Sequence, residues 1–221
     1  MGSRTAVGFT AGAARRLDSP RQFDTFGAVS GEATHAKGAD GARRAKSWLG
    51  ATTRVNAHWV NPQPVAVRKL TFYWVDRTSF SFDLGGVLIG GEYEAQEFLA
   101  VCKKYSKPQD QGTAYVDYLA KCYRASVTNP DRCDNFMWIT WAPFSVGKWD
   151  RLCSADEVEE AVKLHRARAV GDGAEVDPKL CRTVAERLWL IVLSDRQESL
   201  VITPAHRALI TAERVRGGSG A

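Results

Sequence analysis

The chain has 221 residues, 44% of them hydrophobic, which is enough apolar side chain for one sizeable core or a domain with appendages. Its net charge of +5 suits a polyanionic partner, because Lys and Arg release counterions from phosphates. No stretch approaches the roughly 18–20 apolar residues of a membrane span, and the amino-terminal segment lacks an apolar signal core. We therefore expect a cytoplasmic protein without membrane contact.

The cysteines form an odd set without a CxxC pair. This pattern argues against a disulfide framework and against a tetrahedral zinc site. We expect reduced, mostly buried side chains that behave as small hydrophobes, at Cys102, Cys122, Cys133, Cys153 and Cys181.

The first 30 residues are rich in Gly, Ala, Ser, Thr and Arg and show no sustained period, which predicts a flexible basic arm over residues 1–30. We place a single domain over residues 31–203, and a carboxy-terminal helix and tail over residues 204–221. A helix opens the domain, because small and apolar residues recur at helical spacing within residues 31–49.

Aromatic and β-branched residues typical of strands then recur along the chain. They predict strands over residues 54–60, 70–77, 79–89, 92–103, 135–141 and 187–194. Helical periodicity predicts helices over residues 113–124, 155–170 and 178–186. A proline-containing loop at 61–64 and a tight turn at Gly90 and Gly91 separate strands. A helix that joins two buried strands is a βαβ unit, so the predicted fold class is α/β with a mixed sheet.

Two short motifs point further. The sequence FDLGG places Asp83 on one predicted strand, and FLAVCKKYS places Lys103 near the end of the next. The helix QGTAYVDYLAKCYRA and the strand FMWITW follow. This order resembles the PD-(D/E)xK restriction-endonuclease-like nucleases over roughly residues 31–141. The resemblance implies an αβββαβ core with helices flanking a central sheet.

The resemblance implies a metal-dependent DNA endonuclease, in restriction or phage defence. Phosphodiester hydrolysis needs a hard divalent cation held by carboxylate oxygens, here Mg²⁺ or Mn²⁺. A nearby lysine orients water or offsets the developing charge. By this resemblance Asp83 is a metal ligand and Lys103 is the cation at the phosphate.

The second carboxylate of the motif is missing. Val101 occupies its place, and Ala42 stands where a glutamate is typical of the first helix. Glu97 shares the strand parity of Lys103, but it lies four residues before Val101, about 13 Å away at ~3.3 Å per residue. We therefore expect no metal ligand from Glu97, and the departure puts catalysis in question.

Asp117 is the better candidate for the second acid. It lies fourteen residues after Lys103 on the crossing helix, and the spacing is similar to that of restriction enzymes whose strand acid has migrated to this helix. We predict Asp83, Lys103 and Asp117 as the catalytic set, with Asp83 and Asp117 as metal ligands. The alternative for Asp117 is an ordinary ion pair with Lys121, one helical turn later.

A polar cluster follows the motif lysine and predicts contacts with the DNA backbone. Its members are Lys104, Tyr105, Lys107 and Gln111. The alternative is a solvated loop without a ligand. DNA is the predicted partner, and a homodimer or a larger defence complex is compatible with the resemblance.

Two other functions stay open. A non-catalytic relative would keep the nuclease fold and bind DNA or another protein, which the residues at 101 and 42 favour. An α/β binding protein unrelated to nucleases would carry both motifs by coincidence.

Overall fold

The computed structural model describes Gly2 and residues 26–104 and 111–218, without the side chains of 26–37, 214, 215, 217 and 218. Its helices are α1 (Phe26–Thr52), α2 (Pro64–Leu70), α3 (Gln111–Thr128), α4 (Ala155–Leu164), α5 (Arg166–Ala169), α6 (Pro178–Glu186), α7 (Asp195–Glu198) and α8 (Pro204–Gly218). Its strands are β1 (Val55–Val60), β2 (Thr71–Tyr73), β3 (Ser79–Ser81), β4 (Leu84–Leu88), β5 (Glu97–Lys103), β6 (Asn135–Thr140) and β7 (Leu188–Val192).

A five-stranded sheet in the order β1-β4-β5-β6-β7 forms the centre of the fold. The strands β1, β4 and β5 are antiparallel neighbours, whereas β5, β6 and β7 run parallel. Parallel neighbours need a crossover, and α3 provides it between β5 and β6. The strands β2 and β3 form a separate antiparallel pair. The predicted mixed sheet with flanking helices is therefore confirmed.

Helices pack on both faces of the sheet and produce two apolar clusters. On one face, Tyr118 and Leu119 of α3 pack with Val101 of β5 and Trp138 of β6. On the other face, the small apolar side of α1 packs against β4, β5 and β6, including Leu84. Burial of these side chains is the main favourable term in holding α1 and α3 to the sheet.

The predicted strand over residues 79–89 is wrong as a single element, because the chain changes sheets within it. The strand β3 pairs with β2, whereas β4 pairs with β1 and β5. The N–H of Phe82 donates to the Leu70 carbonyl at 3.0 Å, and the N–H of Asp83 donates to the Ala100 carbonyl at 2.8 Å. Consecutive residues thus bond to different parts of the fold.

Other predicted boundaries also differ from the structure; for example, the helix predicted over 155–170 is divided into α4 and α5. The predicted strand at 70–77 is reduced to β2, and the predicted strand at 92–103 begins with a 3-10 turn, so that β5 starts only at Glu97. The helix α2 begins at Pro64, the last residue of the predicted loop at 61–64, and continues to Leu70. The fixed φ of proline suits a first helical position, which the loop prediction overlooked.

The two ends of the chain are described in part. The helix α1 begins at Phe26, so residues 26–30 are helical, although they were predicted to belong to the basic arm. Residues 1 and 3–25 of that arm lie outside the described part of the chain. The helix α8 begins at Pro204, where the carboxy-terminal helix is predicted, and residues 219–221 lie outside. No helix among those described is long and apolar enough to cross a membrane.

The five cysteines carry free thiols, as predicted from their number and spacing. Cys102, Cys122, Cys133 and Cys181 are buried, and Cys153 is half-buried. Burial raises the pKa of Cys133 to about 12 and that of Cys181 to about 11, which keeps both protonated at neutral pH.

Candidate functional site

Asp83 lies directly before β4, where the chain enters the central sheet. Its Oδ2 accepts a 2.8 Å hydrogen bond from the backbone N–H of Cys102 on β5. Its carbonyl accepts a 3.0 Å bond from the N–H of Asn61, which follows β1. The acid is therefore held by backbone groups next to both strands that pair with β4.

The carboxyl of Asp83 has a raised pKa. The largest cause is the loss of water around the carboxyl, which disfavours its charged form. The N–H of Cys102 and the charges of Lys103 and Lys121 act in the opposite direction. Acids with pKa values raised by burial beside cations are common in functional sites.

Lys103 is the last residue of β5 and is half-buried. Val101, two residues earlier, is only 5% exposed and packs in the cluster beneath α3. A valine at this place offers no oxygen to a metal ion. Glu97 stands at the opposite end of β5, where its Oε2 lies 3.3 Å from Nε of Arg132. Glu97 is thus engaged elsewhere and does not supply the missing acid.

Asp117 lies on α3 and forms an ion pair with Lys121, with 2.6 Å between Oδ2 and Nζ. The side chains are 31% and 23% exposed, respectively. The ion pair that the sequence analysis gives as an alternative is therefore confirmed. The positive charge of Lys121 also acts to lower the pKa of Asp83, so this lysine interacts electrostatically with both acids.

Asp83 and Asp117 are the two carboxylates predicted from the sequence as metal ligands. Among the described side chains, no three His, Cys, Asp or Glu residues are grouped so that they could hold a metal ion. A permanently bound ion would need more protein ligands. Mg²⁺ is commonly held by one or two carboxylates, with waters and substrate phosphates completing its shell. Carboxylate oxygens are the type of donor that such an ion prefers.

The helix α1 approaches the same end of β5 from the other face. A Cβ built at Gly41 would lie 3.6 Å from Cβ of Lys104 and 3.7 Å from Cβ of Cys102, at ordinary van der Waals distance, so α1 and the end of β5 are in close contact here. Ala42, at the position where the resemblance predicts a glutamate, is 1% exposed in the core. Asp40 accepts a 3.0 Å bond from Nζ of Lys104, and this bond lowers the pKa of Asp40.

Two of the predicted DNA contacts are described. Lys104 is exposed, as a phosphate contact should be. Gln111 is fully buried at the start of α3, where its Oε1 accepts a 2.7 Å bond from Oγ1 of Thr140. The prediction for Gln111 is therefore wrong, because the residue packs against β6 instead of facing solvent. Tyr105 and Lys107 lie outside the described residues.

Lys121 is the member of this site that the sequence analysis did not select. The helical spacing of Lys121 from Asp117 predicted the ion pair between them, but it could not predict an interaction of Lys121 with Asp83. Its influence on Asp83 depends on how α3 packs over β5, a contact between residues far apart in sequence.

Comparisons with known proteins give no match: no protein-family model, no curated protein and no solved structure matches this chain. What bears on function is therefore the surroundings of Asp83: its hydrogen bond to the N–H of Cys102, the neighbouring Lys103, and the charge of Lys121 that acts on its carboxyl.

Proposed function

We propose that this chain is a metal-dependent DNA endonuclease with a restriction-endonuclease-like αβββαβ core. The observation that carries the proposal is the bond between Asp83 and the backbone of β5, one residue before Lys103. The order α1, β1, β4, β5, α3, β6, with β6 parallel to β5, agrees with the order that the resemblance implies.

The proposed chemistry is hydrolysis of a phosphodiester. Asp83 and Asp117 would hold Mg²⁺ or Mn²⁺, which supplies an activated water and neutralises charge on the phosphoryl oxygens. Lys103, at the end of β5, would donate to a phosphoryl oxygen and offset the charge that develops during attack. The raised pKa of Asp83 suits an acid that becomes fully charged when a cation arrives.

DNA is the proposed substrate. The net charge of +5 favours a polyanion, and Lys103 and Lys104 place two cations at the end of β5. The exposed ammonium of Lys104 would exchange Asp40 for a backbone phosphate. A role in restriction or phage defence, as a homodimer or within a larger complex, extends the same proposal.

One observation favours a second function, a non-catalytic relative that binds DNA or another protein. Val101 is built into the apolar core, and the carboxylate of Asp117 is already paired with Lys121. A protein of this kind would bind DNA without Mg²⁺, with an affinity that falls steeply as salt rises.

Plasmid nicking and linearisation with Mg²⁺ or Mn²⁺ test the proposal. We expect cleavage by the wild type and none by Asp83→Asn, which keeps an oxygen for the Cys102 N–H but removes the charge. The matched control is Asp134→Asn, because Oδ2 of Asp134 accepts a 2.9 Å bond from the N–H of Glu97 at the other end of β5.

The control variant should cleave like the wild type. Equal cleavage by wild type and Asp83→Asn would refute the assigned site and point to a contaminating nuclease. Absence of cleavage in all proteins, combined with metal-independent DNA binding, would establish the second function instead.

A further inference from the structure

Arginine side chains from separate segments line the edge of β2 that does not pair with β3. Nη2 of Arg132 donates a 2.6 Å hydrogen bond to the carbonyl of Lys69, just before β2. Nε of Arg124 on α3 donates a 3.0 Å bond to the carbonyl of Tyr73, the last residue of β2. Positively charged side chains thus occupy positions where a further strand would otherwise pair.

Arg168 on α5 joins the same edge. Its carbonyl accepts a 2.9 Å bond from the N–H of Val75, two residues after β2. Its guanidinium carbon lies 4.4 Å from the centre of the Trp74 ring. The carboxylate of Asp76 accepts hydrogen bonds from Thr78. Stacking on a ring leaves the N–H donors in the plane of the Arg168 guanidinium available to an anion.

The positive charge at this edge is only partly neutralised. Arg132 is paired with Glu97, with 3.3 Å between Nε and Oε2. Neither Arg124 nor Arg168 forms an ion pair with a carboxylate of the described residues. Lys69 adds an exposed cation beside them. A surface with excess positive charge attracts a polyanion.

The outer face of the β2–β3 pair carries hydroxyl groups. Phe72 and Phe80 are cross-strand partners, and both are buried in the core. Because side chains alternate along a strand, the neighbours of these phenylalanines point outward. They are Thr71 opposite Ser81, and Tyr73 opposite Ser79. Hydroxyl groups of Ser, Thr and Tyr are common donors to the phosphate oxygens of DNA.

This face ends beside Asp83. Nδ2 of Asn61 donates a 3.1 Å bond to Oγ of Ser81. The backbone N–H of the same asparagine donates a 3.0 Å bond to the carbonyl of Asp83. A strand of DNA that followed the hydroxyl face would therefore reach the position of Asp83.

We propose that the outer face of β2 and β3, together with the edge formed by Arg124 and Arg168, binds the phosphate backbone of duplex DNA. The hydroxyl groups and the guanidinium groups would donate to successive phosphates without reading sequence. The inference rests on the proposed function for its choice of DNA as the polyanion, but it requires neither a metal ion nor cleavage.

The competing explanation is that the arginines only satisfy the carbonyls of an unpaired strand edge. The chain offers a matched control for this role. Arg54 is also exposed, and its Nη1 donates a 2.7 Å bond to the carbonyl of Gly90, at the end of β1 remote from Asp83. Arg54→Gln removes the same charge and the same kind of carbonyl contact from another surface.

The experiment measures binding of the full chain to a short fluorescein-labelled duplex by fluorescence anisotropy, in EDTA and over a series of salt concentrations. The arginine variants are Arg124→Gln and Arg168→Gln. Ser79→Glu adds a negative charge at an exposed position of the hydroxyl face without touching the core, and Thr52→Glu adds the same charge at the exposed end of α1. Circular dichroism checks the folding of each variant.

We expect each arginine variant to bind about three- to tenfold more weakly than the wild type. The slope of log Kd against log salt should fall by about 1 in each, which is the effect of losing one phosphate contact. Ser79→Glu should weaken binding by about tenfold or more, because its carboxylate repels phosphate. Arg54→Gln and Thr52→Glu should bind like the wild type.

The other outcomes overturn the inference. If Arg124→Gln, Arg168→Gln and Ser79→Glu bind as tightly as the wild type, DNA does not contact this surface. If Arg54→Gln weakens binding as much as they do, total charge and not this surface determines affinity. Absence of DNA binding by the wild type refutes the inference as well. Because binding is measured without metal, the expected pattern would support this surface even if no cleavage were found and the proposed catalysis failed.

Discussion

The N–H of Cys102 donates a 2.8 Å hydrogen bond to Oδ2 of Asp83, so an acid at the start of β4 is attached to the backbone of β5. Backbone donors in a sheet have little freedom, and the carboxylate is therefore positioned before any ligand arrives.

Asp83→Asn should stabilise the free protein at neutral pH. Burial raises the pKa of Asp83, so the folded protein binds the proton of this carboxyl more tightly than the unfolded chain does. The free energy of unfolding therefore falls as pH rises from the pKa of Asp83 in the unfolded chain through its higher pKa in the folded protein. Asparagine removes this cost and still accepts from Cys102. We expect Tm to rise by about 2–4 °C at pH 7, the shift that about 1 kcal/mol gives at this size.

The pH dependence provides the check. Below the usual Asp pKa the carboxyl is protonated in both states, so wild type and Asp83→Asn should converge in Tm there. A variant that is less stable than the wild type at neutral pH would show that the charged carboxylate contributes net stability, contrary to this account.

Val101→Glu should introduce the missing acid at a cost in stability. The side chain replaces a valine that is 5% exposed, and burying a carboxylate without a partner costs about 2 kcal/mol or more. We expect a lower Tm without metal, a larger rise in Tm on adding Mn²⁺ than in the wild type, and faster plasmid cleavage. Thermal denaturation with and without Mn²⁺ measures the first two effects.

Val101→Gln is the matched control, since it has nearly the same shape without the charge. It should lose stability and gain nothing from Mn²⁺. If the two variants respond alike to Mn²⁺, the residue at position 101 does not face the metal site.

Gly86→Ala should strongly destabilise the sheet. A Cβ at Gly86 would lie 2.1 Å from the carbonyl oxygen of Asn56 and 2.8 Å from Cα of Ala57, and both atoms belong to the backbone of β1. Overpacking against a strand costs about 3 kcal/mol, measurable by urea denaturation. Gly50→Ala, where nothing lies within 4 Å, should instead raise stability by about 0.5–1 kcal/mol.

Arg44→Met should loosen the segment after β7. Arg44 on α1 donates to Glu198 (2.5 Å from Nη2 to Oε1) and to Asp195, and its guanidinium lies 5.4 Å from the ring centre of Trp141. Its loss leaves a half-buried acid with fewer partners, at a cost of about 1–2 kcal/mol. Amide hydrogen exchange over residues 195–198 should accelerate in Arg44→Met. The control is Arg43→Met, which removes a side chain that is 71% exposed and should leave the exchange rates of these residues unchanged.

Several local features of the fold were predictable from sequence because they depend on residues close together. Tyr115, Tyr118, Leu119 and Cys122 recur at helical spacing, and all four are buried on α3. The helix α6 has the predicted bounds, Pro178–Glu186, since proline begins it and Asp177 caps it. Periodicity and capping act within one or two turns, so the sequence carries them directly.

The site itself depended on tertiary structure. The strand-like sequence pattern continues from β3 into β4. The two strands are separate elements because β3 pairs in the two-stranded sheet and β4 in the five-stranded sheet. By composition Gln111 belongs to a polar loop, yet it is buried in the core, where Thr140 of the distant strand β6 donates a hydrogen bond to it. The effect of the charge of Lys121 on the pKa of Asp83 likewise depends on the packing of α3 against the sheet. Composition and spacing predicted most of the helices and strands. The division of residues 79–88 between two sheets, the burial of Gln111 and the ion pairs between distant segments followed from packing, because they depend on neighbours that only the folded chain brings together.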